Sequence, residues 1–157
     1  MNKEHHYTIE VKWTGNLGKG TLSSAAYTRD HEISKKMGHT ILGSSDPAFR
    51  GNPERYNPEE LLLSTLSSCH MLMYLHFCSQ NQITVVEYID NSVGVMVEHE
   101  RGSGCFISAT LKPCIKILEH DKLEQATHLH HQSHEDCFIA NSINFPLDVE
   151  PEIEVVR

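Results

Sequence analysis

The chain has 157 residues, 39% of them hydrophobic, a length that favours a single domain over residues 1–157 with enough apolar material for a core. A formal net charge of −8 argues against nucleic acid and anionic membrane as partners, because both require a basic patch. Five cysteines and a polar start, MNKEHHYT, without an apolar leader point to a reducing, cytoplasmic compartment, where thiols stay free unless they do chemistry.

Tyr7, Ile9, Val11 and Trp13 alternate with polar residues, the period-two pattern of a strand with one wet face. A Gly-rich turn, GNLGKG, leads into a second expected strand, TLSSAAYTRDHEIS, and a third is expected at His39–Leu42. From Gly43 to Tyr56 the chain turns to GSSDPAFRGNPERY, too short for a linker and anchored by Phe49 and Tyr56, so it reads as an ordered loop.

The start of the next element is explicit. Asn57 suits a helix N-cap, Pro58 the first helical position, and Glu60 closes an N-x-x-E capping box. Glu59 adds negative charge where the helix dipole favours it. The helix should run to about Gln80 and be apolar around most of its circumference, which predicts burial on several sides. Ser64, Thr65, Ser67, Ser68, Cys69, His70 and His76 interrupt its apolar run, so it reads as a core helix rather than a membrane span.

Ile83–Asp90 and Ser92–His99 are β-rich, ERGSG reads as a hairpin turn, and Cys105–Lys112 returns as a strand that Ile115 and Ile117 extend beyond Pro113. Asp121 and Glu124 form a second capping box for a helix through about His134, and NFPLDVEPEIEVV is extended. The order βββ–α–βββ–α–β predicts an α+β fold, two antiparallel β-meanders around one long buried central helix.

Two cysteines sit in distinctive contexts, Cys69 in LSSCHM and Cys137 in SHEDCFIANS. A redox pair needs a reactive thiolate and a second thiol within reach of the oxidised sulfur, and sequence spacing does not establish that contact. The bland alternative is that each cysteine is a small core hydrophobe, and for Cys78, Cys105 and Cys114 it is the stronger reading. The histidines offer a rival. HLHHQSHEDC places His130 and His134 four apart, and His131, His134 and Cys137 at steps of three, so zinc ligation with Cys69 or His70 is conceivable. Against it, there is no HExxH and the histidines spread too widely round the helix to converge; a partly solvated face that titrates near pH ~6.5 is the plain alternative. A hydrolase built on Cys69–His70 is a weak reading, since helical neighbours point about 100° apart and cannot form a thiolate–imidazolium pair.

NPEELLLSTLSSCH, followed much later by HEDCFIANSINFPL, resembles the OsmC/Ohr family of osmotically inducible and organic-hydroperoxide-resistance proteins, and the order of elements agrees over nearly the whole chain. The resemblance implies an OsmC-like fold, an intertwined homodimer, and a thiol-dependent peroxidase that reduces a small organic hydroperoxide. It maps the peroxidatic cysteine to Cys69, the resolving cysteine to Cys137 and a glutamate ten residues before the first cysteine to Glu59. An arginine from the preceding loop completes the site: Arg50 in AFRG is the first choice, with Arg55 and Arg29 as alternatives. The resemblance further implies that no metal, flavin or haem is required and that an external dithiol, such as a lipoyl group, recycles the enzyme. Leu66, Met73, Phe49 and Phe138 are the apolar neighbours expected to favour an organic peroxide. A binding module on the same fold and a histidine-based metal-binding stress protein are the alternatives.

Helix geometry adds one expectation of its own. Ten residues separate Glu59 from Cys69, ~15 Å along a continuous helix. Two copies crossing antiparallel near Ser64 would bring one chain's Glu59 level with the other's Cys69, and Ser64, Ser67 and Ser68 are small enough for a close crossing. The site would then be shared between chains.

Overall fold

Alternation in the first segment does produce a strand, though a shorter one than expected: β1 covers Glu10–Trp13. It pairs antiparallel with β2, His31–Ser34, and β2 pairs antiparallel with β3, Ile41–Gly43. Val11 faces Ile33, and Ile33 faces Ile41, so the apolar residues share one side of the sheet. The computed structural model describes residues 3–100 and 102–157. It divides into two compact units, Met1–Leu61 and Leu62–Arg157.

In the first unit, the strand expected over TLSSAAYTRDHEIS is confined to its last four residues. Its Ser- and Ala-rich beginning has no alternating apolar face to bury and forms turns instead. The Asn16 side chain accepts from the backbone N–H of Gly18 and Gly20 at 2.9 and 3.0 Å, and both glycines have positive φ, 98° and 52°. Trp13 donates its ring N–H to the Thr28 carbonyl at 2.9 Å and packs edge-on against Tyr27. The following loop is ordered, as expected. Asp46 caps a 3-10 turn at Pro47–Phe49, and buried Ser44 donates to Asp30 and accepts from the Asn52 N–H.

Helix α1 spans Pro58–Gln80 without interruption. Its capping box is reciprocal: the Glu60 N–H donates to Asn57 Oδ1 at 2.8 Å and the Asn57 N–H to Glu60 Oε2 at 3.0 Å. By length and composition α1 would pass for a membrane span. The expected burial on several sides is not met, for only Leu66, His70, Tyr74 and Cys78, one i,i+4 stripe, are buried.

Two three-stranded sheets belong to the second unit. One orders β4 (Val85–Asp90), β7 (Pro113–Ile117) and β9 (Glu152–Val155); the other orders β5 (Val93–Glu98), β6 (Gly104–Leu111) and β8 (Leu147–Val149). The α+β class holds, but the last two strands pair parallel, β8 with β6 and β9 with β7. Pro113 does not continue β6. The chain turns a corner at Lys112, whose N–H donates to Asp90 Oδ1 at 2.7 Å, and it crosses to the other sheet. Proline lacks the N–H that an uninterrupted ladder would use, so the strand changes partner there. The hairpin between β5 and β6 is closed by the His99 N–H on the Ser103 carbonyl, and Arg101 of the expected turn lies outside the described residues.

Helix α2 spans Leu123–Asp136 and lies against β8 and β9. The second capping box does not form. The helix enters through a 3-10 turn at His120–Lys122, with no side-chain cap from Lys122, so Asp121 and Glu124 are only first-turn acids. Glu119 instead accepts the Thr84 N–H at 2.8 Å. The buried stripe of α2 (Ala126, Leu129, His130, Ser133) completes a core with Tyr74 and Cys78 of α1 and Ile115 and Ile117 of β7.

The cap of α1 is open to test. Asn57→Ala should lower the unfolding free energy by about 1 kcal/mol, and Asn57→Asp should retain most of it. Urea denaturation midpoints that do not separate the alanine variant from the native chain would reject this role for the cap.

Candidate functional site

The helix stripe that packs α1 into the core leaves Cys69 on its flank. Cys69 is half-buried, one residue before buried His70. Two residues earlier, Ser67 donates to Asp90 Oδ2 at 2.5 Å, and the other oxygen of Asp90 receives the Lys112 N–H. Asp90 therefore ties this turn of α1 to the end of β4 and to the corner where the chain changes sheets.

Cys137 stands just past the end of α2, its N–H on the His134 carbonyl at 3.4 Å and its backbone extended. A 3-10 turn at Ala140–Ser142 follows, and the Ala140 N–H points to Cys137 Sγ at 3.4 Å. The chain thereby folds over the thiol, which is 1% exposed. The two sulfurs meet: Cys137 Sγ lies 2.7 Å from Cys69 Sγ, both as free thiols. Burial, and then the hydrogen bond to Cys69, push the Cys137 thiol up to about 11. It is a protonated thiol at neutral pH.

What holds α1 and α2 at this separation is a polar contact that sequence spacing could not show. His70 Nε2 and His130 Nδ1 are 3.0 Å apart, and the His130 ring stacks on Tyr74 with centroids 3.8 Å apart. Burial first, then the neighbouring His134, lower His70 to about 4, against an opposing pull from Asp90. Burial, then His70, lower His130 to about 3. Both rings are neutral over the physiological range, so one nitrogen donates and the other accepts.

The remaining sequence candidates are placed as follows. Cys78 is buried, its thiol raised to about 11 by burial, as expected of a core residue. Cys105 and Cys114 are exposed and not core hydrophobes; Cys105 Sγ is 3.9 Å from His99 Nε2. Of the expected apolar neighbours, Leu66 is 1% exposed and locked in the core, so it does not face a substrate; Phe138 is 76% exposed beside Cys137. In the first unit, Glu59 is in the opening turn of α1. Arg55 reaches Asp30 at 3.6 Å, and Arg29 donates to the Ser24 and Tyr27 carbonyls and covers the Tyr27 ring. Arg50 makes a hydrogen bond to the Ser24 hydroxyl at 3.1 Å and holds φ 64°, ψ 30°, a left-handed backbone unusual for a long side chain. Among the described residues, no group of three or more His, Cys, Asp or Glu side chains is arranged to hold a metal ion.

Neutral buried histidines make stability fall in acid. Unfolded, both rings take up protons near pH ~6.5; folded, they resist until about 4 and about 3. The unfolded chain thus binds more protons between those limits. Stability is full above pH ~6.5 and declines as pH falls below it, by at most about 1.4 kcal/mol per pH unit for each ring. Urea unfolding at a series of pH values measures the slope, and a His70→Leu/His130→Leu double variant that keeps the native slope would sink this assignment.

Comparison with known proteins agrees with this architecture. The family described as OsmC-like protein matches residues 51–152. An OsmC-like protein of unknown function from Vibrio cholerae has a solved structure that superimposes with a TM-score of 0.84 at 28% identity, covering 94% of this chain and 99% of that one. An organic hydroperoxide resistance protein from Elizabethkingia anophelis shares the fold at 17% identity and a TM-score of 0.64, over 98% of this chain and 100% of that one. The uncharacterized protein YmaD of Bacillus subtilis is 22% identical over 157 residues, 97% of this chain and 95% of its own. On fold, motif order and family match, the chain belongs to the OsmC-like protein family.

Proposed function

We propose that the chain is a cysteine-based peroxidase that reduces small organic hydroperoxides to alcohols. The observation that carries this reading is the 2.7 Å approach of Cys69 and Cys137, two thiols from separate helices. Their surroundings divide the labour. Cys69 is half-buried and reachable, whereas Cys137 is enclosed and protonated. The Cys69 thiolate attacks the peroxide O–O bond; the alkoxide leaves and takes a proton, giving an alcohol and a sulfenic acid on Cys69. The Cys137 thiol then displaces hydroxide from that sulfenic acid, its proton completes a water molecule, and the disulfide closes. An external dithiol, such as a lipoyl group, reduces the disulfide and is itself oxidised to a cyclic disulfide.

A thiolate needs a cation beside it, and Arg50 is the arginine proposed for that role. Arg55 is engaged by Asp30, and Arg29 by two carbonyls and a tyrosine ring, while Arg50 makes a single hydroxyl contact on a strained backbone. Strained conformations of this kind persist where function demands them. Glu59 would orient the guanidinium through a two-pronged ion pair. The chain is further proposed to act as a homodimer with sites shared between copies, since α1 is uninterrupted and Glu59 is ten residues before Cys69. Uncovered apolar side chains supply a reason to associate: Leu72 on α1, and Ile9 and Val11 at β1, are 63%, 66% and 60% exposed.

The roles of the thiols can be separated by mutation. Cys69→Ser should abolish peroxide consumption. Cys137→Ser should permit one turnover and leave a sulfenic acid on Cys69 that dimedone traps. In the native chain, one equivalent of organic hydroperoxide should remove two hydrogens by intact mass. Multiple turnover by Cys69→Ser would end the proposal.

Mixed dimers examine the shared site. Glu59→Ala chains combined with Cys69→Ser chains should regain activity, because one site of each heterodimer then has both residues. If no activity returns although heterodimers form, each site is built within one chain.

A further inference from the structure

Two arginines of the first unit converge on one exposed serine. Ser24 lies in a turn of the Ser- and Ala-rich segment, closed by the Ala26 N–H on the Ser23 carbonyl at 3.0 Å. Arg29 donates through Nη1 to the Ser24 carbonyl at 2.8 Å and to the Tyr27 carbonyl at 3.0 Å, and its guanidinium lies 4.5 Å from the centre of the Tyr27 ring. Arg50, twenty-six residues after Ser24, donates through Nη1 to the Ser24 hydroxyl at 3.1 Å.

The charge at this corner is not balanced. The chain has 21 acidic side chains against 13 Lys and Arg, so carboxylates are in surplus, and Arg55 finds one at Asp30. Among the described residues, neither Arg29 nor Arg50 is paired with a carboxylate. Two guanidinium groups brought to one residue repel each other, and neutral carbonyl and hydroxyl oxygens do not cancel that charge. Each arginine uses only Nη1 within the protein, which leaves its Nε–Nη2 edge free among the described residues. That edge is the fork that grips two oxygens of one oxyanion. Both groups are also held in advance. Two carbonyls and a ring fix Arg29, while the turn that brings the Gly51 N–H to the Asp46 carbonyl at 3.0 Å sets Arg50 at φ 64°. Donors fixed beforehand lose less freedom on binding.

A carboxylate offers one charge and fills one such edge. A phosphate dianion offers a charge for each guanidinium and oxygens for both edges. We propose that Ser24, Arg29 and Arg50 form a receptor for a phosphate dianion, either esterified on the Ser24 hydroxyl or free. The covalent form arises when a nucleoside triphosphate transfers its terminal phosphoryl group to Ser24 Oγ: the new O–P bond forms, the bond to the departing diphosphate breaks, and the hydroxyl proton passes to solvent. Occupancy also bears on the thiols, a consequence that rests on the reading of Arg50 as the cation beside the Cys69 thiolate. A guanidinium gripped by phosphate is withdrawn from that role, so peroxide reduction slows.

Two preparations of the full chain test the receptor. The native protein is titrated with inorganic phosphate at constant ionic strength and followed by its arginine Nε–H resonances; a second preparation carries phosphoserine introduced at position 24 during synthesis. A saturable shift of the Arg29 and Arg50 signals identifies free phosphate as the ligand. A phosphoserine that loses its second proton at lower pH than in a peptide of the same local sequence identifies the covalent form, because the guanidinium groups favour the dianion. Arg50→Gln, at an exposed side chain, should weaken phosphate binding about tenfold or more and return the phosphoserine titration towards that of the peptide. Arg29→Lys, which keeps the charge and loses the fork, should act in the same direction. The proposal is overturned if phosphate moves neither arginine signal and the phosphoserine titrates as in the peptide, or if both variants leave the binding unchanged. Alkylation of Cys69 separates the two readings. If phosphate is held at this corner and Cys69 is alkylated at an unchanged rate, the receptor stands and the assignment of Arg50 to the thiolate falls.

Discussion

A single polar contact between two buried rings sets the geometry on which the thiol pair depends. His70 of α1 and His130 of α2 meet at 3.0 Å, both buried, with the His130 ring stacked on Tyr74. Two apolar residues there would bury as much surface without removing polar groups from water. An apolar contact, however, tolerates sliding, whereas a hydrogen bond between two rings, one of them stacked on Tyr74, admits only a narrow register. One residue from His70 and seven from His130 come Cys69 and Cys137, whose sulfurs lie 2.7 Å apart. Asp90 makes the second tie, joining Ser67 to the Lys112 corner, so that the turn carrying Cys69 is fixed from both sides.

The surfaces left uncovered are as informative as the core. Sequence periodicity makes α1 apolar nearly all round, but the chain buries one stripe of it. Ile9, Val11 and Trp13 follow the alternation of a half-buried strand, and all are more than 40% exposed. A helix buried along one stripe and a strand with exposed apolar side chains leave surface that the proposed homodimer would cover. The small residues Thr65 and Ser68 are exposed on α1 as well, where the proposed partner helix could approach without displacing a large side chain.

Local chemistry was legible in the sequence; pairings between distant segments were not. The start of α1 came from Asn57, Pro58 and Glu60, because a capping box is complete within four residues. The same signature at Asp121 and Glu124 misled, since a 3-10 turn entered the helix and tertiary contacts fixed the segment through Glu119 and Thr84. The corner at Lys112 depends on Asp90, twenty-two residues away. Parallel pairing of β8 and β9 depends on strands formed some forty residues earlier, which alternation along one segment cannot report. The two cysteines could be named from their motifs, but the contact between His70 and His130, sixty residues apart, has no local signal at all.

The unequal burial of the thiols follows from where each sits on its helix. Cys69 is inside α1, so its backbone is fixed by helical hydrogen bonds and its exposure is set by how far it turns from the His70 stripe, about 100°. Cys137 is outside α2, with extended backbone, and the chain after it folds back so that Ala140 covers its sulfur. A residue inside a helix gives a rigid, reachable point of attack; one just beyond a helix end moves without breaking helical hydrogen bonds. In the proposed peroxidase cycle, the closing motion of the disulfide would therefore belong to Cys137 and the short turn after it, while α1 and the histidine contact behind it stay in place.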